Sequence, residues 1–208
     1  MKYDYREIEA KWQKKWEDAG IFRAEDNSTK TKFYGLVEFP YPSGEGMHVG
    51  HIKAYSSIEA VSRKRRMQGY NVLFPIGFDA FGLPTENYAI KTNTHPRIIT
   101  DQNIAHFTEQ LKSVGFSFDW SRVIDTTDED YYKWTQWIFL KLFEHGLVYQ
   151  DKTWVNYCPS CKVVLSNEDS QGGLCDICHS EVVQKSKTVW YLRITKYADK
   201  LLQGLEGL

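Results

Sequence analysis

Residues 39–51 read FPYPSGEGMHVGH and connect two segments with different periodicity. Residues 33–39, which lead into this stretch and share Phe39 with it, form a short apolar run that is followed by a proline, as expected for a buried strand of a parallel sheet. Residues 49–68, which begin within the same stretch, carry apolar side chains at helical spacing. Gly69 can adopt the left-handed conformation that ends such a helix. A second strand is predicted at residues 71–76. The order strand, glycine-containing loop, helix and strand predicts a β-α-β unit, whose ligands bind beyond the carboxyl ends of the strands.

Further helices are predicted on both sides of this unit. The opening helix has capping character at Asp4, ends at Gly20, and carries a tryptophan stripe that we expect to be buried. Residues 104–114 and 131–142 also have apolar side chains at helical spacing. We expect these helices to form the scaffold of an α/β fold.

The composition is that of a globular protein with no general affinity for nucleic acid. Hydrophobic residues make up 42% of the 208 residues and aromatic residues 15%, so a disordered chain is not expected. The formal net charge of -1 lacks the basic excess of a general nucleic-acid binder. Residues 1–20 contain no continuous apolar stretch, so neither a signal peptide nor a membrane anchor is predicted there. We therefore expect a cytoplasmic protein with no membrane partner.

The cysteines of the chain form two C-x-x-C pairs separated by thirteen residues. Such spacing is typical of a tetrahedral zinc site with four thiolate ligands and favours metal over a disulfide or redox chemistry. Four ligands leave no open position for water, so the ion is expected to be structural. The predicted ligands are Cys158, Cys161, Cys175 and Cys178. His179 follows the last ligand and is expected at the surface, because four cysteines complete the coordination sphere.

The start of the helix predicted after residue 48 offers a site for phosphate. A helix amino terminus presents free N–H groups and partial positive charge, and Gly46 and Gly50 let a ligand approach the backbone. His48 and His51 can donate hydrogen bonds to phosphoryl oxygens and stabilise the charge that develops at phosphorus. The alternative is that both histidines only cap the helix.

The motif F-P-Y-P-S-G-x-x-x-H-x-G-H after a strand resembles the first signature of class I aminoacyl-tRNA synthetases. Its P-Y-P-S-G form is similar to that of the leucyl enzymes. Residues 77–87, GFDAFGLPTEN, are similar to the leucyl-type segment that follows the second strand. Glu38 and Thr85 depart from the leucyl pattern, in which a more apolar residue and an alanine are expected. The resemblance covers essentially the whole chain.

The resemblance implies a leucine-tRNA ligase, which converts leucine and ATP to leucyl-adenylate and then transfers leucine to its tRNA. Asp79, at the end of a predicted strand, would pair with the leucine ammonium, although it could also cap a turn or helix. Phe39 and Tyr41 would line the pocket for the leucine side chain. His48 and His51 would stabilise the phosphoryl charge together with Mg2+.

The resemblance also implies a domain organisation. Residues 1–150 would form the first half of a Rossmann-like catalytic domain, a parallel sheet with flanking helices. Residues 151–187 would form an inserted zinc ribbon, and residues 188–208 a return segment toward an editing domain. The leucine tRNA would bind mainly through regions outside this chain, which would be an amino-terminal fragment or one half of a split enzyme. The rival interpretation is a noncatalytic module that binds tRNA or a partner chain, and the basic run at residues 63–66 could be a solvated helix end or an RNA contact.

Overall fold

The computed structural model describes residues 4–42 and 46–207. Over these residues the chain contains both helices and strands, which confirms the mixed α and β content of the predicted fold class. The chain divides into two compact units, Met1–Tyr132 and Lys133–Leu208. None of the helices in the described ranges combines the length and the apolar character that crossing a membrane requires.

The described residues contain six α-helices and seven strands. The helices are α1 (Tyr5–Asp18), α2 (Val49–Met67), α3 (Leu83–Thr92), α4 (Pro96–Val114), α5 (Glu129–Glu144) and α6 (Ala198–Gly204). The strands are β1 (Lys32–Tyr34), β2 (Asn71–Leu73), β3 (Gly77–Phe78), β4 (Ile124–Asp125), β5 (Val148–Cys158), β6 (Val163–Leu165) and β7 (Val183–Leu192). The predicted helix after the 39–51 segment is confirmed as α2, whereas the helix predicted at residues 104–114 begins earlier, at Pro96.

The first unit contains two pairs of parallel strands. β1 pairs with β2, and α2 lies between them in the chain, as the β-α-β prediction requires. β3 pairs with β4. The predicted strand at residues 33–39 is shorter than expected, because the chain leaves the β2 ladder after the Gly35 N–H donates to the Leu73 carbonyl at 2.9 Å. Aromatic and aliphatic side chains with no exposed surface fill the core beside these strands: Phe74, Ile76, Phe78, Phe107, Leu111 and Phe118.

The second unit is built on an antiparallel sheet in the order β6-β5-β7. The long β5–β7 ladder runs from the Val148–Leu192 pair to the Tyr157–Val183 pair, and β6 pairs with the far end of β5. Beside the ladder, the Phe139 ring of α5 meets Trp190 edge-on at 5.1 Å. The first cysteine, Cys158, is the last residue of β5 and pairs with Val163 of β6.

The predicted burial of the tryptophan stripe on α1 is wrong. Trp12 is 46% exposed, and no residue of α1 is buried. The helix is instead attached by polar contacts, since the Gln13 side chain donates to the Ser113 carbonyl at 3.0 Å. The guanidinium of Arg63 also lies 4.9 Å over the Trp16 ring. Helical periodicity identified the apolar face correctly, but this face borders a cavity of about 950 Å3 rather than a sealed core.

The basic run at the end of α2 has a structural role that neither sequence interpretation included. Arg66 donates to the hydroxyl and the carbonyl of Ser117 at 2.6 and 2.9 Å, and burial lowers the pKa of this arginine. Arg63 donates to the Gly115 carbonyl at 2.7 Å. Two of the four basic side chains therefore fasten the end of α2 to the segment after α4, and Lys64 is exposed.

Replacing Gly35 by alanine is expected to destabilise the first unit by about 1–3 kcal/mol through overpacking. An added Cβ would lie 2.9 Å from the Ser62 hydroxyl, 3.1 Å from Ile58 and 3.2 Å from the Phe74 ring. Urea unfolding of the 208-residue chain measures this as a lower midpoint. The control is Gly204→Ala, which meets no atom within 4 Å in α6 and should leave the midpoint unchanged or raise it. Equal midpoints for both variants would contradict the packing at Gly35.

Candidate functional site

The two histidines of the sequence motif cap the amino terminus of α2. The Nδ1 atom of His48 accepts from the Gly50 N–H at 3.1 Å. The Nδ1 atom of His51 accepts from the His48 N–H at 3.3 Å, which completes a reciprocal capping box. The capping interpretation is therefore correct as a description of these two nitrogens, and among residues 4–42 and 46–207 neither Nε2 atom has a hydrogen-bond partner.

These hydrogen bonds determine the tautomer of each imidazole. A neutral ring whose Nδ1 accepts a hydrogen bond carries its proton on Nε2. The rings of His48 and His51 stack with their centroids 3.9 Å apart, an arrangement that two imidazolium cations would oppose. Burial, and secondarily the neighbouring His48, lower the pKa of His51 below its usual value. The helix start thus presents two neutral Nε2–H donors beside its own backbone N–H groups.

Gly46 approaches α4 closely. It has φ +83°, and an added Cβ would lie 2.8 Å from the Gln110 amide nitrogen and 3.0 Å from His106 Nε2. The next residue, Met47, donates its N–H to Gln110 Oε1 at 2.8 Å. Both the conformation and the space at Gly46 therefore require a glycine. The preceding motif positions 43–45 lie outside the described residues.

The two predicted leucine-pocket aromatics lie against glycines of the segment that follows β2. A Cβ at Gly77 would lie 2.5 Å from the Phe39 ring, and a Cβ at Gly82 would lie 2.5 Å from the Tyr41 ring. Between these contacts, the Asp79 N–H donates to the Pro40 carbonyl at 3.1 Å. The segment 39–41 is thus held at van der Waals distance from the end of β3.

An open groove of about 710 Å3 brings most of the predicted residues together. Six predicted residues line it: Phe39, Tyr41, His48, Gly50, His51 and Asp79. Asp79 is exposed at the end of β3, where its carboxylate can meet a cation. The larger cavity beside α1 lacks such a combination, because no histidine among the described residues lines it and two of its three charged residues, Glu59 and Arg63, are joined in an ion pair.

Sequence reasoning missed two side chains that support this groove. The Tyr55 hydroxyl donates to the Glu38 carbonyl at 2.9 Å, and burial, with a smaller effect of Glu38, raises the pKa of Tyr55 to about 12. The Thr85 hydroxyl lies 3.1 Å from the Tyr41 hydroxyl. Thr85 was visible in the sequence as a departure from the family pattern, but nothing local connected it with Tyr41.

The four cysteines form one compact cluster in the second unit. Their sulfur atoms all lie within 4.8 Å of one another, a geometry that could hold a metal ion. The two pairs adopt the same turn, in which the residue after the second cysteine donates its N–H to the carbonyl of the first. Lys162 donates to Cys158 and His179 to Cys175, each at 2.8 Å and each with φ 59°. His179 is an exposed turn residue equivalent to Lys162, which agrees with its predicted place at the surface.

Comparison with known proteins relates this geometry to one family. Residues 11–208 match the family model of tRNA synthetases class I (I, L, M and V). The leucine–tRNA ligase of Alkaliphilus oremlandii (strain OhILAs) is 58% identical over 204 residues, which are 98% of this chain and 25% of that protein. The corresponding protein of Symbiobacterium thermophilum is 48% identical over 207 residues, or 100% of this chain and 24% of that protein. The chain thus spans about a quarter of the length of the curated relatives it matches.

A solved structure has the same architecture over the whole chain. The LeuRS of Agrobacterium radiobacter K84, in a ternary complex with tRNA and LeuAMS, superposes with a TM-score of 0.82 at 37% identity. The match covers 100% of this chain and 27% of that one. The resemblance to leucyl-tRNA synthetases inferred from the sequence is confirmed, and the chain belongs to the family of class I tRNA synthetases.

Proposed function

We propose that this chain provides the ATP and leucine contacts of the first half of a leucine–tRNA ligase active site. The reaction is activation of leucine by ATP to leucyl-adenylate and pyrophosphate, followed by transfer of leucine to the leucine tRNA. The observation that carries the proposal is the groove, whose lining combines paired imidazole donors at a helix start with the Asp79 carboxylate. The identity of 48–58% to leucine–tRNA ligases supports it.

The start of α2 is suited to phosphate. Gly50 lets the nucleotide approach the backbone, and the Nε2–H groups of His48 and His51 donate to oxygens of the α-phosphate region. Gly46, which was predicted to do the same, is buried against Gln110 and His106 and does not line the groove. Because negative charge spreads over the phosphoryl oxygens as leucine attacks, these donors act mainly in the transition state. Mg2+ would accompany the ATP phosphates, and we assign no residue of this chain to it.

The groove also contains side chains suited to the amino acid. The exposed Asp79 carboxylate would pair with the leucine ammonium, which orients the leucine carboxylate toward phosphorus. Phe39 and Tyr41 would bound the pocket for the side chain. An apolar pocket distinguishes one methylene by only about 1–3 kcal/mol, so an editing step elsewhere in the complete enzyme is expected.

We further propose that residues 1–150 form the first half of a Rossmann-like domain, with a zinc ribbon at 151–187 and a return segment at 188–208. The parallel β1–β2 pair separated by α2 supports the first assignment. The reaction belongs to the complete enzyme, in the cytoplasm, and the tRNA binds mainly outside this chain.

The cysteine cluster fits zinc. With Zn–S bonds of about 2.3 Å, tetrahedral ligand atoms are about 3.8 Å apart, close to the separations of up to 4.8 Å observed here. Hydrogen bonds from Ser180 lower the pKa of Cys178 to about 5, whereas the hydrogen bond with Cys178 raises the pKa of Cys161 to about 12, so zinc binding would release protons from the remaining thiols. The ligands would be Cys158, Cys161, Cys175 and Cys178. Bound zinc would fix the two turns at the tip of the ribbon and leave no open position for catalysis.

Purified protein is expected to contain one zinc ion per chain by elemental analysis, and Cys175→Ser should reduce the content to near zero. Serine cannot replace a thiolate ligand of this buried site. The control is Ser160→Ala, which changes an exposed residue of the other cysteine turn and should keep full zinc. Full occupancy in Cys175→Ser, or none in the unaltered chain prepared without chelators, would refute the assignment.

His51 is expected to titrate below the usual imidazole value of about 6.5 in an NMR pH titration. Because folding lowers the pKa of His51, the unfolded state binds a proton at a higher pH than the folded state does. The free energy of unfolding therefore falls as the pH falls through that usual value. Stability should therefore decline between about pH 7 and pH 5, and His51→Phe should reduce this decline. A His51 pKa at or above 6.5 would contradict the neutral donor.

The phosphate role is testable in a complete enzyme made by joining this chain to the remainder of the Alkaliphilus oremlandii relative. His48→Asn keeps a capping oxygen but loses the Nε2–H, so kcat for leucine-dependent pyrophosphate exchange should fall about 100-fold or more with unchanged melting temperature. Asp79→Ala should instead raise the KM for leucine. The unjoined 208-residue chain should show no exchange. Full kcat in His48→Asn would mean that the histidine only caps the helix.

A further inference from the structure

Helix α4 makes two hydrogen bonds to the backbone on either side of motif positions 43–45. On one side, the Asn103 amide nitrogen donates to the Pro42 carbonyl at 3.0 Å. On the other, Gln110 Oε1 accepts from the Met47 N–H at 2.8 Å. Pro42 is fully buried and Met47 half-buried, so neither backbone group can rely on bulk water as a substitute.

The two amides share one face of the helix. They are seven residues apart, which is about two turns and a rise of about 10.5 Å. Between and beside them, Phe107 and Leu111 have no exposed surface and fix this face of α4 in the core. The Phe107 ring also meets the His51 ring edge-on at 6.4 Å. The helix that holds both flanks of the motif therefore also contacts its second histidine.

We propose that Asn103 and Gln110 are positioning residues for the phosphate-binding motif. By holding Pro42 and Met47 at a fixed separation, they determine where α2 begins and hence where the Nε2–H groups of His48 and His51 point. The inference rests on the proposed function, because the aim of these donors matters only if phosphate binds there. The proposal places neither Asn103 nor Gln110 in contact with the substrate.

The contact at Gln110 is directional. Its oxygen accepts from the Met47 N–H, which an amide nitrogen cannot do, and both ends of the amide lie against Gly46, at 2.8 and 2.9 Å from an added Cβ. A side chain of similar length without the oxygen would leave the Met47 N–H unpaired. A glutamate would keep the acceptor and add negative charge near the phosphate site. The two substitutions therefore separate positioning from charge.

The first measurement uses the 208-residue chain itself and requires no activity. Amide hydrogen exchange at Met47 should accelerate about tenfold or more in Gln110→Met, because the N–H loses its acceptor. The ring NMR signals of His48 and His51 should shift in the same variant. Met47 exchange should stay near that of the unaltered chain in Gln110→Glu, which keeps the acceptor. Both properties should stay near those of the unaltered chain in Glu109→Met, which changes the exposed neighbour on the same helix.

The second measurement uses the joined complete enzyme. A displacement of catalytic groups by about 1 Å can cost about 100-fold in rate, so Gln110→Met should lower kcat for pyrophosphate exchange about 10- to 100-fold. Its KM for ATP should change less than about twofold. Asn103→Asp replaces the donor by an acceptor and should resemble Gln110→Met. Gln110→Glu should instead raise the KM for ATP and keep most of kcat.

The outcomes separate the two proposals. Unchanged Met47 exchange and histidine signals in Gln110→Met would overturn the inference, whatever the function. A normal kcat in Gln110→Met within an active joined enzyme would also overturn it and leave the proposed function intact. If the unsubstituted joined enzyme folds but shows no exchange, the proposed function fails and the inference falls with it.

Discussion

The first turn of α2 has backbone N–H groups that no helical carbonyl can reach, and the candidate site depends on how they are satisfied. Histidine is an unusual choice for this task, since serine, threonine, aspartate and asparagine are the common capping residues. An imidazole that caps through one nitrogen still has a second nitrogen facing outward. The capping box of His48 and His51 thus stabilises the helix and fixes the proton of each ring in one arrangement.

Features encoded by neighbouring residues were predictable from the sequence. The start of α2 after the motif and the pairing of cysteines by short spacing both follow from local rules. The contacts that shape the groove were not, because they join residues far apart: Tyr41 meets Thr85 across 44 positions, and Met47 meets Gln110 across 63. Periodicity similarly identified the apolar face of α1, but only tertiary structure shows that this face remains partly exposed.

The two candidate sites consequently differ in how they are assembled. The cysteine cluster is contained in a short stretch of one unit, where two identical turns bring the sulfur atoms together. The groove needs the segment before α2, the end of β3 and the support of α4 at the same time. A local change can therefore disturb the cluster alone, whereas the groove responds to substitutions throughout the core of the first unit.

Under the proposed function, the two glycines against the aromatic rings constrain how the amino-acid specificity of the pocket could be redesigned. Any side chain at Gly77 or Gly82 would collide with Phe39 or Tyr41 before it reached a ligand. Substituting either glycine therefore cannot make the pocket smaller without displacing the rings. Libraries that seek to accept new amino acids would therefore vary the aromatic positions and Thr85 together and leave both glycines unchanged.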